Sequence, residues 1–285
     1  MPKQKRTPSR PKSLYRVKNW NEYEKALVQR GSITFWMTDD FEKNWRHTGE
    51  KQRGSQYAYS DKAIEIMLTV KEVFHLTNRQ TEGFIGSLFA LMKIGLPVPD
   101  HSTLWKVRQH GVSKRRTWRK LHVGVNPQDG EFQAVLLTDN SVSDDNAVAG
   151  LLVQIEQELD EFAADGAYDK RKVYDSLNAH SPGVNILIPP RKNARIWKHG
   201  NTKAEPLKRD ENLRSIRKHG RKAWKKRSGY HIRSLAETAM SRLKTIFGNE
   251  LSARLIETQT TQAVIRCAAL NKMTHLGMPQ AYKVV

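Results

Sequence analysis

Two textures of apolar and polar positions divide the chain near Thr117. From Asn19 to about Leu104 the apolar residues recur at helical spacing. In DKAIEIMLTVKEVFHLT, Ile64, Met67, Leu68, Lys71 and Val73–Phe74 keep roughly to one face, behind an N-cap candidate at Ser60 or Asp61. A short turn from His75 to Asn78 leads to RQTEGFIGSLFALMKIG, where Phe84, Ile85, Leu88, Phe89, Leu91 and Met92 predict a second helix that stops at Gly95 and Pro97. A third helix is expected after Pro99, capped by Asp100 or Ser102. Three short helices allow a helix-turn-helix reading, and they equally describe an ordinary three-helix packing.

Beyond Thr117 the pattern becomes that of strands. TWRKLHVGVN sets Trp118, Lys120 and His122 against Leu121, Val123 and Val125, the alternation of a half-buried strand. Asn126 to Gly130 is a turn and EFQAVLLTDN a second strand, so the two predict a hairpin. Asp144 to Leu159 reads as a helix with Val148, Leu151, Leu152 and Ile155 inward. EFAADGAY is a short strand, KRKVYDSLNAH a helix, and VNILIPP a buried strand closed by Pro189 and Pro190. A polar, basic stretch follows from Arg191 to Ser228, then helices to Met278. A hairpin followed by alternating helix and strand implies an α/β fold, a mixed sheet flanked by helices.

Charge changes this picture most. The 285 residues carry 49 Lys and Arg against 29 Asp and Glu, a formal net charge of +20. So large an excess repels itself in the compact state, and a polyanionic partner such as nucleic acid is the natural expectation. The first 18 residues hold seven Lys or Arg, no acid precedes Glu22, and Pro2, Pro8 and Pro11 oppose helix, so residues 1–18 read as a basic disordered arm. Cys267 is the single cysteine, which leaves no disulfide framework or zinc-finger spacing and suits a reducing cytoplasm. No apolar run approaches the length of about 20 residues that spans a bilayer, so no membrane partner is expected. KHGRKAWKKR places Lys218, Arg221, Lys222, Lys225 and Lys226 around Trp224, and SKRRTWRK places Lys114, Arg115, Arg116, Arg119 and Lys120 ahead of the first strand of the hairpin. Both clusters are candidate phosphate contacts, although charge runs are usually solvated faces.

The most specific local pattern is GYHIRSLAETAMSRLKTIFG. Tyr230, Arg233, Glu237 and Lys244 are separated by two, three and six residues. At about 100° per residue they fall within a sector of about 60° on a helix, opposite Leu235, Ala236, Ala239, Leu243, Ile246 and Phe247. The same spacing also describes an ordinary amphipathic helix in which Arg233 and Glu237 are an i,i+4 ion pair.

That spacing is similar to the signature of DDE transposases of bacterial insertion sequences, most closely the insertion sequence 5 family. ADGAYD resembles the family's segment for its second catalytic Asp, which would be Asp165. IPPRKNARIW, RDENLRSIRKHGRKAWKKRSGYH and SLAETAMSRLKTIFG resemble its C-terminal blocks. The resemblance implies a ribonuclease H-like domain over residues 105–285, with a basic insertion at about 191–228, behind a helical DNA-binding region at 19–104. It implies double-stranded DNA, the element's terminal inverted repeats, as partner, together with self-association or association with an intact transposase. The protein would then be cytoplasmic and associated with the nucleoid. The resemblance assigns Asp165 and Glu237 as catalytic and Mg²⁺-binding carboxylates, and Tyr230, Arg233 and Lys244 as phosphate-orienting groups. Physical chemistry agrees with those residue types, because paired hard cations about 3.5–4 Å apart polarise the attacking water and the leaving oxygen, and Mg²⁺ prefers carboxylate ligands.

One expected part is missing. The family places a buried strand ending in its first catalytic Asp between a Pro-Asp-x-Ser/Thr-Thr-Leu segment and a Trp-Lys-Val-Arg-Gln-His-Gly block. Here VPDHSTL, ending at Leu104, runs directly into WKVRQHG, beginning at Trp105. The resemblance therefore implies loss of the central strand and its Asp, a sheet of four strands or a poorly ordered one, and impaired catalysis. Asp100 follows Pro97 and Pro99, which are excluded from a central strand, and Asp129, Asp139, Asp144 and Asp145 lie in turns or at a helix start. The competing expectations are a catalytically dead remnant that inhibits or regulates transposition, and a regulator that uses only the N-terminal helices.

Overall fold

The computed structural model describes residues 14–37, 40–49, 57–105, 118–198 and 207–284. Chain order is β1 (Leu14–Val17), α1 (Trp20–Arg30), α2 (Ile33–Trp36), α3 (Asp61–Val73), α4 (Asn78–Met92), β2 (Arg119–Val125), β3 (Phe132–Asp139), α5 (Asp144–Leu152), β4 (Glu161–Ala163), α6 (Arg171–His180), β5 (Asn185–Leu187), α7 (Lys208–His219), α8 (Arg221–Arg227), α9 (Ser234–Phe247), α10 (Ile256–Leu276) and β6 (Ala281–Val284). Among the described residues no helix is long and apolar enough to cross a membrane.

The N-terminal helices start where their caps place them. Ser60 Oγ accepts from the Ala63 N–H, and Thr77 and Gln80 form a reciprocal capping box. The helix α4 ends at Met92, earlier than Gly95, because Lys93 turns into the left-handed region with φ 57°. Apolar faces of α3 and α4 meet around Met67, Val70, Ile85 and Phe89, with Trp45 fully buried beside them. Of the expected third helix the described residues hold a single 3-10 turn at Thr103–Trp105, and residues 106–117 lie outside them.

This helical segment does not stand apart. Trp36 and the rings of Phe35 and Phe74 join Phe132, Leu243, Phe247, Leu270 and Met273 in one core, so α2, the hairpin, α9 and α10 share their apolar faces. A buried ionic knot reinforces the junction. The Glu72 carboxylate accepts from Lys71 Nζ at 2.8 Å, Arg266 Nε at 2.7 Å and Gln262 Nε2 at 3.0 Å. Burial alone would raise the Glu72 pKa, but the hydrogen bonds from Lys71 and Arg266 outweigh it and hold the carboxylate below its ordinary value.

Among the described residues the strands form three separate pairs rather than one mixed sheet. The hairpin β2–β3 is antiparallel, β4–β5 is parallel, and β1 pairs antiparallel with β6. The arm expected to be disordered over residues 1–18 thus contributes its last residues, Leu14–Val17, to a strand, while residues 1–13 lie outside the described set. The hairpin turn is as expected, with Gly130 at φ 77° and Asn126 donating to Asp129. Leu121, Val123 and Val125 face α9 and α10, but the opposite face is not left to solvent. There α5 covers His122, which is 6% exposed and bonded through Nε2 to Thr138 Oγ1 at 2.9 Å. The α5 helix itself ends at Leu152, seven residues short of Leu159, and hands over to turns.

The outer edges of two pairs are closed by side-chain amides. Gln154 Oε1 accepts from the Val135 N–H, and Asn271 both accepts from and donates to the Phe132 backbone, which seals β3. Asn212 donates to the Ile186 carbonyl, which seals β5. Among the described residues no side chain bonds the backbone of β2 or of β4. An unpaired strand edge is a row of unsatisfied donors and acceptors, so this asymmetry singles out the β2 and β4 edges.

Candidate active site

In the parallel pair the carboxyl ends of β4 and β5 lie at the same end, the position where α/β sheets usually hold ligands. Asp165 lies just past β4 and is exposed. It caps the 3-10 turn Gly166–Tyr168, one carboxylate oxygen accepting from the Ala167 N–H at 2.8 Å. Gly166 suits the close approach there, since a Cβ would come within 3.1 Å of the Pro189 carbonyl beyond β5.

The long pattern around Glu237 splits into two elements. Tyr230–Arg233 is a 3-10 turn, and α9 begins only at Ser234. Tyr230 is 7% exposed and packs with Trp224 and Leu187, its ring centroid 5.5 Å from that of Trp224. Ala239, Leu243 and Phe247 bury the inward face of α9, whereas Leu235, expected in the core, is exposed in its first turn. Glu237 points outward in the first turn of α9 and meets Arg233 at 2.8 Å, the i,i+4 pair.

Tyr230 is where the expected site residues converge. Lys225 Nζ lies 5.2 Å and the Arg233 guanidinium 5.8 Å from its ring centroid, both within cation–π reach. Burial raises the Tyr230 pKa; Arg233 and Arg221 oppose that rise, while Asp165 and Glu237 add to it. The phenol thus lies within electrostatic range of both carboxylates and both guanidinium groups. Arg221 also donates to the Pro190 carbonyl beyond β5.

The remaining expected cations are less concentrated. Helix α8 buries Trp224, whose indole donates to Asn212, and thereby turns Lys222, Lys225 and Lys226 outward. Lys218 is exposed near the end of α7, and Lys244 is exposed on α9. The basic stretch at 191–228 therefore contains two helices, not simply an irregular insertion. Lys114, Arg115 and Arg116 lie outside the described residues.

Of two groups near the site, the sequence sets one aside as the start of a helix and gives no sign of the other. The Tyr168 phenol is pushed up to about 12 by burial and by the fields of Asp144, Asp165 and Asp145, so Asp144 shares an environment with Asp165. Asp144 is also 3.7 Å from His122 and 3.8 Å from Lys120. Asp145 is engaged differently, paired with both Lys170 and Lys172. No local motif marks Asp144, because its place near the Tyr168 phenol depends on how α5 lies over the hairpin.

The second group is a buried clamp. Arg209 is 3% exposed and grips Asp169 through Nε at 2.7 Å and Nη2 at 3.2 Å, while Nη1 reaches Asp210 at 3.1 Å. Its guanidinium stacks 3.8 Å from the Trp197 ring centroid. Asp210 accepts from the backbone N–H groups of Trp197 and Lys198, so the basic stretch is fastened to the segment that carries Asp165.

Among the described residues, the one set of three His, Cys, Asp or Glu side chains close enough to share an ion is Glu82, Asp100 and His101. It lies on α4 and the following segment, where His101 bonds Glu82 through both its backbone N–H and Nδ1. These contacts tie the segment back to the helix.

Two family models match the chain, each described as a transposase DDE domain. One covers residues 28–126 and the other residues 95–272, well over half of the chain. No solved structure matches it.

Proposed function

Because the chain belongs to the transposases with a DDE domain, we propose that it binds the terminal repeats of a bacterial insertion sequence of the insertion sequence 5 type, while its own site for cutting and joining DNA is incomplete. The observation that carries this reading is that Lys225 and Arg233 lie over the Tyr230 ring and that its phenol feels the charges of Asp165, Glu237, Arg221 and Arg233. Carboxylates beside cations suit a phosphodiester, the cations holding phosphate oxygens and the carboxylates a metal.

The donor set fits a hard cation in part. Asp165 and Glu237 are exposed carboxylates, each with one oxygen engaged by an internal partner and one left over. Mg²⁺ keeps several waters, so two such oxygens would hold one ion weakly. When bound, the metal would supply polarisation of the attacking water and the leaving oxygen. Arg233 and Lys225 would orient the scissile phosphate, as fork and point charge respectively.

We read the hairpin and the parallel pair as the two sides of a ribonuclease H-like sheet whose central, Asp-bearing strand is absent. The edge asymmetry supports this, because Gln154, Asn271 and Asn212 close β3 and β5, whereas among the described residues nothing comparable closes β2 or β4. Apart from Asp144, the acids weighed as substitutes are engaged: Asp145 by Lys170 and Lys172, Asp139 by Ser141, Asp129 by Asn126, and Asp100 by Ser102 and His101. Such a chain would occupy element ends without processing them, and so inhibit an intact transposase.

The test is a cleavage and strand-transfer assay on element-end DNA in Mg²⁺. The unmodified chain binds but does not cut. A version with a strand ending in Asp restored between Leu104 and Trp105 gains cleavage that is lost again with Asp165→Asn or Glu237→Gln. Strand transfer by the unmodified chain, abolished by Glu237→Ala, would overturn the impaired reading. Asp144, which shares the Tyr168 environment with Asp165, would then be the acid to test, ahead of Asp100.

A further inference from the structure

The two ends of the chain meet in a ribbon that the reading above does not use. Tyr15 stands opposite Lys283, and Arg16 opposite Tyr282. Cross-strand partners share a face, so each face of the ribbon presents one aromatic ring beside one cation. None of these four is buried in the fold: Tyr15 is 64% and Tyr282 48% exposed, and Arg16 and Lys283 are exposed as well. The base of the ribbon is fixed by Asn19, which donates to the Met278 carbonyl and accepts from the Gln280 N–H. Lys18 and the half-exposed Trp20 follow directly.

Two further facts indicate what the ribbon is for. A two-stranded ribbon that buries little is marginal by itself, so a partner that covers its faces would stabilise it. Its electrostatics are one-sided: Arg16, Lys18 and Lys283 are exposed on the ribbon or beside it, and residues 14–21 and 277–285 contain no Asp or Glu. Such a surface repels cations and basic proteins and attracts a polyanion.

We propose that the β1–β6 ribbon is a second DNA-contacting element that enters a groove of duplex DNA, with Arg16 and Lys283 on phosphates and Tyr15 and Tyr282 against sugars and base edges. A two-stranded ribbon fits the major groove, which is about 12 Å wide. Insertion uses both faces at once, which explains why aromatic and cation alternate on both. The ribbon adds to the binding assigned to the Tyr230 region and depends on duplex DNA being the partner.

The experiment measures anisotropy of a fluorescein-labelled, mixed-sequence duplex of about three helical turns, titrated with the full chain at several salt concentrations. The double variant Arg16→Glu/Lys283→Glu lowers affinity tenfold or more and makes the log–log salt slope shallower by about 1.8, the loss of two phosphate contacts. Tyr15→Ala/Tyr282→Ala lowers affinity several-fold and leaves that slope unchanged. The control Lys43→Glu/Lys62→Glu carries the same change in net charge and produces a smaller loss. Thermal melting checks that each variant keeps its fold. Variants that melt normally and bind like the control would overturn the ribbon assignment while leaving the family reading intact. A loss confined to the same oligonucleotide as a single strand would also overturn it, in favour of base stacking. If the unmodified chain bound no duplex, the reading of the Tyr230 region would fall first.

Discussion

Asp165 and Asp169 are four positions apart on one segment, yet their carboxylates live under opposite conditions. Asp169 is buried, held by Arg209 through two hydrogen bonds, and accepts further bonds from Tyr174 and the Arg191 backbone. Asp165 is exposed and gives one oxygen to a local cap. The same contrast separates Glu72, fixed by Lys71, Gln262 and Arg266, from Glu237, which meets Arg233 at the surface. A buried charge with all its bonds satisfied holds elements in place and has no capacity left for a ligand. An exposed carboxylate contributes little to folding and keeps that capacity. In this chain the two roles are assigned to different residues of the same type, so ionic residues need to be sorted by burial and partners before any is called functional.

That contrast is breakable at several points. The largest effect is expected at the clamp. Arg209→Ala leaves Asp169 and Asp210 buried without their cation, a change that typically costs about 3–5 kcal/mol. Chemical denaturation should show that loss, and an unchanged midpoint would mean the clamp does not hold the basic stretch as described.

A smaller loss is expected at the knot between α3 and α10. Glu72→Gln keeps the shape but exchanges charge-assisted hydrogen bonds for neutral ones, a loss of about 1.5–3 kcal/mol near neutral pH. Because the folded carboxylate titrates below its ordinary value of 4.5, its contribution is fully present above that pH and disappears as pH falls through the folded value. Melting curves of the two proteins should therefore converge in acid. A difference that stays constant with pH would contradict the assigned ionic role.

The smallest effect on stability belongs to the exposed edge. Glu237→Ala removes a surface i,i+4 pair, which is worth about 0.3–0.5 kcal/mol. The variant should melt almost with the parent while losing whatever weak Mg²⁺ binding calorimetry detects in it. A loss of stability comparable with that of Glu72→Gln would place Glu237 among the structural charges instead.

Much of the local architecture was legible in the sequence. Ser60 and Thr77 cap helices where a side-chain oxygen meets free N–H groups, and Asn126 to Gly130 turns the hairpin because Gly130 adopts positive φ at no steric cost. The candidate carboxylates were legible too, though through spacing that equally fits an amphipathic helix. Less legible was their setting. Spacing predicted one helix from Tyr230 to Lys244, whereas the chain makes a 3-10 turn first, and Tyr230 rotates into the core against Trp224. His122 alternates with apolar residues as an outward group would, yet α5 covers that face as well.

The sequence by itself determined the helices α3 to α6, the four strands of the hairpin and the parallel pair, the excess of positive charge and the presence of Asp165 and Glu237, because periodicity, caps and composition act over a few residues. Only the tertiary structure decided which strands pair. Alternation with a period of two marks a strand but carries no label for its partner, and pairing depends on whatever edges remain across the whole chain. That is why Leu14–Val17, in an arm whose composition favours disorder, is held by residues more than 260 positions away. It is also why the hairpin and the parallel pair, each predictable on its own, close their outer edges with Gln154, Asn271 and Asn212 and do not pair with each other.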